Sequence, residues 1–293
     1  MPNHISTQAE QKMALLQVHL GVLLLGGTAQ FSKLIPLSGA EISFGRAVVA
    51  AIVLLMIVKM TEGNLKLKNA RDYRNSIILG VLMALHWVTY FFAMQMSTIA
   101  TGMIALYTYP VLIVLFEPLL NKQKPELKDL LTAGLVMTGI VLLVPDLDLE
   151  SDFTIGILLG VLSAVFFAAR NVMNRRVFSH YSGTKNMMYQ SIVIAAVLLP
   201  FEIDGYTQGL DSSTWLWLLV LGAFFTALPH SLVVNGLRHI KAKTMSLVSC
   251  LSPCYGTAFA VYFWAEYPNT QTLIGGALVV SAAVYETLTA HKS

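Results

Sequence analysis

Charge is what this 293-residue chain has least of: Asp, Glu, Lys and Arg together make up 12% of it, about half the roughly 25% of an ordinary soluble domain. A chain so poor in solvating groups cannot cover a water-facing surface, which excludes a soluble globular protein. Cysteine is nearly absent. The two present, Cys250 and Cys254, lie at i and i+4 around Pro253, a spacing that supplies neither the ligands of a zinc site nor good disulfide geometry; they read as small packing residues. No glycine-rich phosphate loop, zinc-protease helix motif or nucleophile elbow occurs. The sequence therefore offers no nucleotide-driven motor and no recognisable hydrolase. No cofactor is expected, and the chain is not read as an enzyme.

What it has in abundance is apolar surface: hydrophobic residues make up 56%, and the mean hydropathy is +0.66. A helix needs roughly 20 mostly apolar residues to cross a bilayer. Ten stretches qualify, near residues 14–35, 39–60, 76–96, 100–120, 127–145, 154–176, 184–201, 213–236, 243–264 and 270–289. The first follows Lys12 as a signal peptide would, but it is full length, lacks a clear cleavage site and is succeeded by more spans, so it reads as a membrane helix.

Orientation follows from the cations. With the N-terminus in the cytoplasm, sixteen of the nineteen Lys and Arg residues fall in cytoplasmic segments, grouped around Lys12, Lys66, Lys124, Arg175, Lys241 and Lys292. Only Lys33 falls on the opposite side, and Arg46 and Arg170 lie within spans. This bias places both termini in the cytoplasm of an inner-membrane protein. The net charge of +3 reports that basic inner rim and not nucleic-acid binding. Asp146, Asp148, Glu150 and Asp152 read as a solvated linker.

The chain is also written twice. Pro110 and Pro125 recur 143 residues later as Pro253 and Pro268, and at the same offset come Ala84/Ala227, Leu85/Leu228, Thr101/Thr244, Phe116/Phe259 and Leu130/Leu273. A constant offset held over several spans marks an internal repeat, with units at residues 1–147 and 148–293. Five spans per unit is an odd number, so the second unit starts from the opposite side of the membrane. The expected fold is an all-α membrane protein of ten transmembrane helices in two inverted five-helix repeats, an architecture suited to exposing a midplane site to each side in turn.

Several segments resemble the EamA-type branch of the drug/metabolite transporter superfamily. These are the small-residue entries into proline-broken helices (Thr101 to Pro110, Thr244 to Pro253), the stretch Gly45 to Ala51 with Arg46, and Trp264-Ala265-Glu266 followed by Gly275-Gly276. The chain departs from that pattern at one place: the repeat counterpart of Glu266 is Gln123, while Glu117 lies about one and a half turns earlier. The resemblance implies a ten-helix carrier of small metabolites, frequently an exporter. Its central cavity would be lined by helices one to four and six to nine, with five and ten peripheral.

Polar groups inside spans are costly and mark function by default. On the third span stand His86, Trp87 and Tyr90; on the eighth His230, which falls at the repeat position of Trp87, and Asn235; on the fourth Tyr107. Aromatic walls suit planar substrates and stack on cations. On the sixth span Arg170 could receive a carboxylate and Asn171 and Asn174 orient polar groups, or Arg170 could snorkel toward Arg175 and Arg176. Glu117, counted on one stripe with Met103, Tyr107, Pro110 and Val114, is the candidate for proton coupling, with snorkelling beside Lys122 the alternative. Pro110 and Pro253 are expected hinges, each freeing a carbonyl within a span. Arg46 is expected to make a structural pairing.

These readings converge on a secondary carrier of small organic metabolites, amino acids or related compounds, working by alternating access, with an uptake carrier as the runner-up and a membrane enzyme or channel further behind. Its partners would be the substrate and the bilayer, with a homodimer left open. The topology is directly testable. With Cys250 and Cys254 replaced by alanine, Asn64→Cys should react with an impermeant thiol reagent only from the cytoplasmic side and Asp148→Cys only from the other; the reverse pattern would overturn it.

Overall fold

The computed structural model describes residues 8–120, 124, 127–143, 148, 150–207, 209–236, 239–240 and 242–289, and among them every regular element is a helix. The first half runs α1 (Gln8–Gly27), a 3-10 turn at Thr28–Gln30, α2 (Phe31–Leu34), α3 (Gly39–Glu62), α4 (Ala70–Met96), α5 (Ile99–Leu106), α6 (Tyr109–Leu120) and α7 (Leu127–Leu143). The second half runs α8 (Asp152–Val177), α9 (Gly183–Thr207), α10 (Ser212–Gly222), a π-turn at Ala223–Ala227, α11 (Leu228–Gly236), α12 (Ala242–Ser249), α13 (Ser252–Trp264) and α14 (Thr270–Thr289).

Polar residues in the connections start these helices. Ser38 and Glu41 form a reciprocal capping box on α3, Asn69 caps α4, and Thr98 accepts the Thr101 amide at 3.1 Å on α5. Each satisfies amides that a helix leaves without partners in its first turn. Six helical stretches among the described residues are long and apolar enough to cross a membrane: Gln8–Leu34, Gly39–Glu62, Ala70–Met96, Ile99–Phe116, Asp152–Val177 and Ser212–Val233. A shorter apolar helix covers Thr270–Tyr285.

The repeat is visible in the helix ends. The starts of α5, α6 and α7 at Ile99, Tyr109 and Leu127 reappear at Ala242, Ser252 and Thr270, and the end of α5 at Leu106 reappears at Ser249; each pair is 143 residues apart. Packing obeys the same exchange. α4 lies on α8 and α1 on α11; α5 and α6 lie on α8, and α12 and α13 on α1; α3 pairs with α9, and α7 with α14. Swapping the halves turns each of these contacts into another in the set, as a two-fold arrangement requires. Between α1 and α13 the backbones meet at glycine: a Cβ on Gly26 would collide with the Ser252 carbonyl and the Gly256 amide.

The two proline segments are interrupted and not merely kinked. The helices are broken, at Tyr107–Thr108 and at Cys250–Leu251, and Pro110 and Pro253 each sit in the first turn of the segment that follows. There the missing amide costs least and the fixed φ favours initiation. The stripe counted from Met103 to Glu117 assumed one uninterrupted helix, so its register does not carry across the break.

Two of the carbonyls that lie four residues before a proline are taken up by hydroxyls from the other half. Ser249, four residues before Pro253, accepts from the Tyr107 hydroxyl at 2.6 Å. Phe225, four residues before Pro229, accepts from Thr28 Oγ1 at 3.0 Å beside the π-turn. In a bilayer no water replaces such partners, so unpaired backbone groups are expensive. Tyr107→Phe should therefore lower stability by about 1–3 kcal/mol, read as a fall in melting temperature in detergent.

Candidate functional site

Between the halves lies a cavity of about 260 Å³. Its walls come from α1 and the 3-10 turn after it, from α3, α4, α5, α6, α8, α11, α12 and α13, and from Tyr107 in the break between α5 and α6. α7 and α14 contribute no lining residue, in keeping with a peripheral position. α9 contributes none either, which differs from the lining implied by family resemblance; it acts from behind.

The cavity brings together Arg46, His86, Trp87, Tyr90, Tyr107, Arg170 and His230. Asn171, Asn174 and Asn235 are not among its lining residues, and Asn235 is exposed. Glu117 belongs to α6, but its side chain lies outside the described residues.

Arg170 is held by a chain of amides. Its Nε donates to Gln190 Oε1 and its Nη1 to Asn171 Oδ1, both at 2.8 Å. Gln190 Nε2 donates to Asn186 Oδ1 at 2.6 Å, and Asn186 Nδ2 to Asn174 Oδ1 at 2.5 Å. The two asparagines expected to touch substrate therefore belong to the support of the cation. Gln190 and Asn186, one turn apart on α9 and both buried, are functional candidates that sequence reading missed. Their signal was present, since two amides at i and i+4 within an apolar span are costly unless they face polar partners.

Arg46 on α3 is different. It is buried at 3% exposure, and its guanidinium carbon lies 3.8 Å from the centroid of the Trp87 ring and 5.4 Å from that of Phe91. The structural pairing expected for it is thus with aromatic rings and not with a carboxylate. Its Nε has no hydrogen-bond partner.

The two imidazoles are set by their neighbours. The Ser163 hydroxyl donates its proton to the His86 carbonyl at 2.9 Å, so its 2.7 Å contact with His86 Nδ1 makes that nitrogen the donor. His230 Nδ1 lies 2.6 Å from the Thr226 carbonyl, which can only accept. In the neutral form both rings therefore keep Nε2 as an acceptor. His86 stacks on Phe167 at 4.6 Å, and Phe167 meets Tyr109 edge-on at 4.8 Å. Among the described residues that line the cavity there is no Asp or Glu, and no cluster of His, Cys, Asp or Glu could hold a metal.

At the Lys33 end of the molecule, Glu266 pairs with Lys33 and accepts the Ile99 amide at 3.1 Å. The Trp264 indole donates to Gln30 Oε1, and Gln30 Nε2 to the Gly256 carbonyl, both at 3.0 Å. These bonds join the 3-10 turn, α2 and α5 of the first half to the α13–α14 segment of the second.

A chain helical throughout its described elements, with several membrane-length apolar helices, two-fold packing and a largely aromatic and apolar cavity at the junction of its halves, is a multi-pass membrane protein. Its comparison with known proteins is specific. The EamA-like transporter family matches twice, over residues 12–144 and 154–286, and the chain belongs to that family. It is similar to the pseudopaline exporter CntI of Pseudomonas aeruginosa, 23% identical over 85% of this chain and 86% of that one. It is also similar to the S-adenosylmethionine uptake transporter of Rickettsia prowazekii, 24% identical over 86% and 84%, and to an uncharacterized transporter of Archaeoglobus fulgidus, 27% identical over 73% and 76%. One solved crystal structure shares the fold with a TM-score of 0.61 at 18% identity, covering 98% of this chain and 100% of the other.

The amide chain makes a prediction. Gln190→Leu removes the acceptor of a buried charged donor and should destabilise the protein by about 1.5–3 kcal/mol, measured by thermal denaturation in detergent. A change within error would mean that Arg170 does not depend on α9.

Proposed function

We propose that this chain is a secondary carrier of small organic metabolites, amino acids or related compounds, that exports them across the inner membrane by alternating access. In this reading ten helices span the membrane as two inverted units joined near residue 147, with both termini cytoplasmic. The observation that carries it is the cavity at the junction of the repeats, to which both halves contribute polar and aromatic side chains. An interhalf cavity is where rocking of one unit against the other changes access. The Lys33–Glu266 pair and the Glu266 contact with the Ile99 amide act as a closure on the outer side, and the helix breaks beside Pro110 and Pro253 are the points about which the segments move.

Uptake through the same cavity is the second reading, and the similarity to an uptake transporter of Rickettsia is what favours it. Glu117 is the proton-coupling candidate. Transport by purified protein in liposomes, across a metabolite panel with and without a pH gradient, tests the proposal. At least one compound should move faster than in empty liposomes, and net flux should follow the gradient. If no compound moves and none shifts thermal stability, the carrier reading fails. Glu117→Gln should abolish gradient-driven flux while leaving exchange; an unchanged pH response would remove Glu117 from the mechanism.

A further inference from the structure

Among the described residues, the cavity holds two arginines and no carboxylate. A buried cation with no counter-ion is expensive, and stacking on Trp87 offsets that only in part. The Arg46 Nε is buried without a hydrogen-bond partner, and among the described residues no hydrogen bond orients this cation. Arg170 differs in being preorganised. Two of its five donors are committed to Gln190 and Asn171, which fixes the guanidinium plane and leaves three for a ligand. A fork of this kind matches a carboxylate.

We propose that the cavity is an organic-anion site, in which Arg46 and Arg170 receive the carboxylate of a small aromatic or planar acid whose body lies against the rings of Trp87, Tyr109 and Phe167. The aromatic faces accept a flat apolar body. The free Nε2 acceptors of His86 and His230 suit a hydroxyl on the substrate. An ammonium group would meet two guanidinium cations and, among the described residues, no carboxylate, so this proposal narrows the metabolites of the carrier reading to organic acids and away from amines and amino-acid zwitterions. As a statement about transport, this rests on the carrier reading; as a statement about binding, it stands without it.

The test uses the full chain in detergent and three aromatic acids, benzoate, cinnamate and 2-naphthoate, each with its neutral amide and the matching arylalkyl amine. At least one acid should raise the melting temperature in a saturable way, with the amide binding at least about tenfold more weakly and the amine giving no shift. Arg46→Met should abolish that response and, without ligand, raise the melting temperature by about 2 °C or more, because an uncompensated buried charge is gone. Arg46→Lys should keep a weakened response, since a point charge replaces the fork.

Amide or amine binding as tight as the acid overturns the proposal, as does no stabilisation by any of the three acids. So does an Arg46→Met protein that is less stable without ligand or does not fold, because that is the signature of a structural arginine. Liposomes separate the two readings. An acid that binds but is not carried keeps the anion site and sinks the carrier, whereas transport of amines alone keeps the carrier and sinks the anion site.

Discussion

The structure depends on one constraint, that backbone groups surrounded by hydrocarbon must find their partners within the protein. Continuous helices meet it automatically; broken ones do not. This chain breaks its fourth and ninth apolar segments and inserts a π-turn into another, and several of the backbone groups left over in these segments are satisfied from the opposite half. Tyr107 serves the carbonyl before Pro253, Thr28 the carbonyl before Pro229, and Glu266 the first amide of α5. The bonds that make the breaks tolerable are therefore the bonds that join the repeats. A movement of one half against the other must exchange these partners, so the stability of the irregular segments and the access of the cavity are coupled by construction.

The polar groups of the cavity fall into two kinds, and the difference decides what the site can do. Arg170, His86 and His230 are locked by neighbours that use part of their hydrogen-bonding capacity and aim the rest. Arg46 is placed by packing alone, under the face of Trp87. Folded sequences rarely leave a buried cation half satisfied unless a function needs it. Among the described residues that line the cavity the formal charges are both positive, and in the anion-site proposal substrate recognition follows from that sign before it follows from shape.

Much of the site was legible because intramembrane polar residues are rare enough to stand out. Arg46, His86, Trp87, Tyr90, Tyr107, Arg170 and His230 could be picked on that ground, and they share one cavity. The same ground misplaced Asn171 and Asn174, which look like substrate contacts by spacing and in the structure extend a chain of amides behind Arg170. It passed over Gln190 and Asn186, whose role depends on partners on another helix, Arg170 and Asn174 of α8. The stripe through Tyr107 to Glu117 misled because helical spacing counts only along an unbroken axis.

By itself the sequence determined the solvent, the helical class and the two-fold plan, since composition, apolar run length and the 143-residue offset are properties of segments that need no partner to be read. The tertiary structure alone decided where the helices break, which hydroxyl closes which carbonyl, and which arginine is left with a free donor. The physical reason is that spacing orients a side chain only about its own helix axis. Burial and partners are set by the faces of other helices, and those faces belong to other segments of the chain, from 20 positions away for Arg170 and Gln190 to 234 for Gln30 and Trp264.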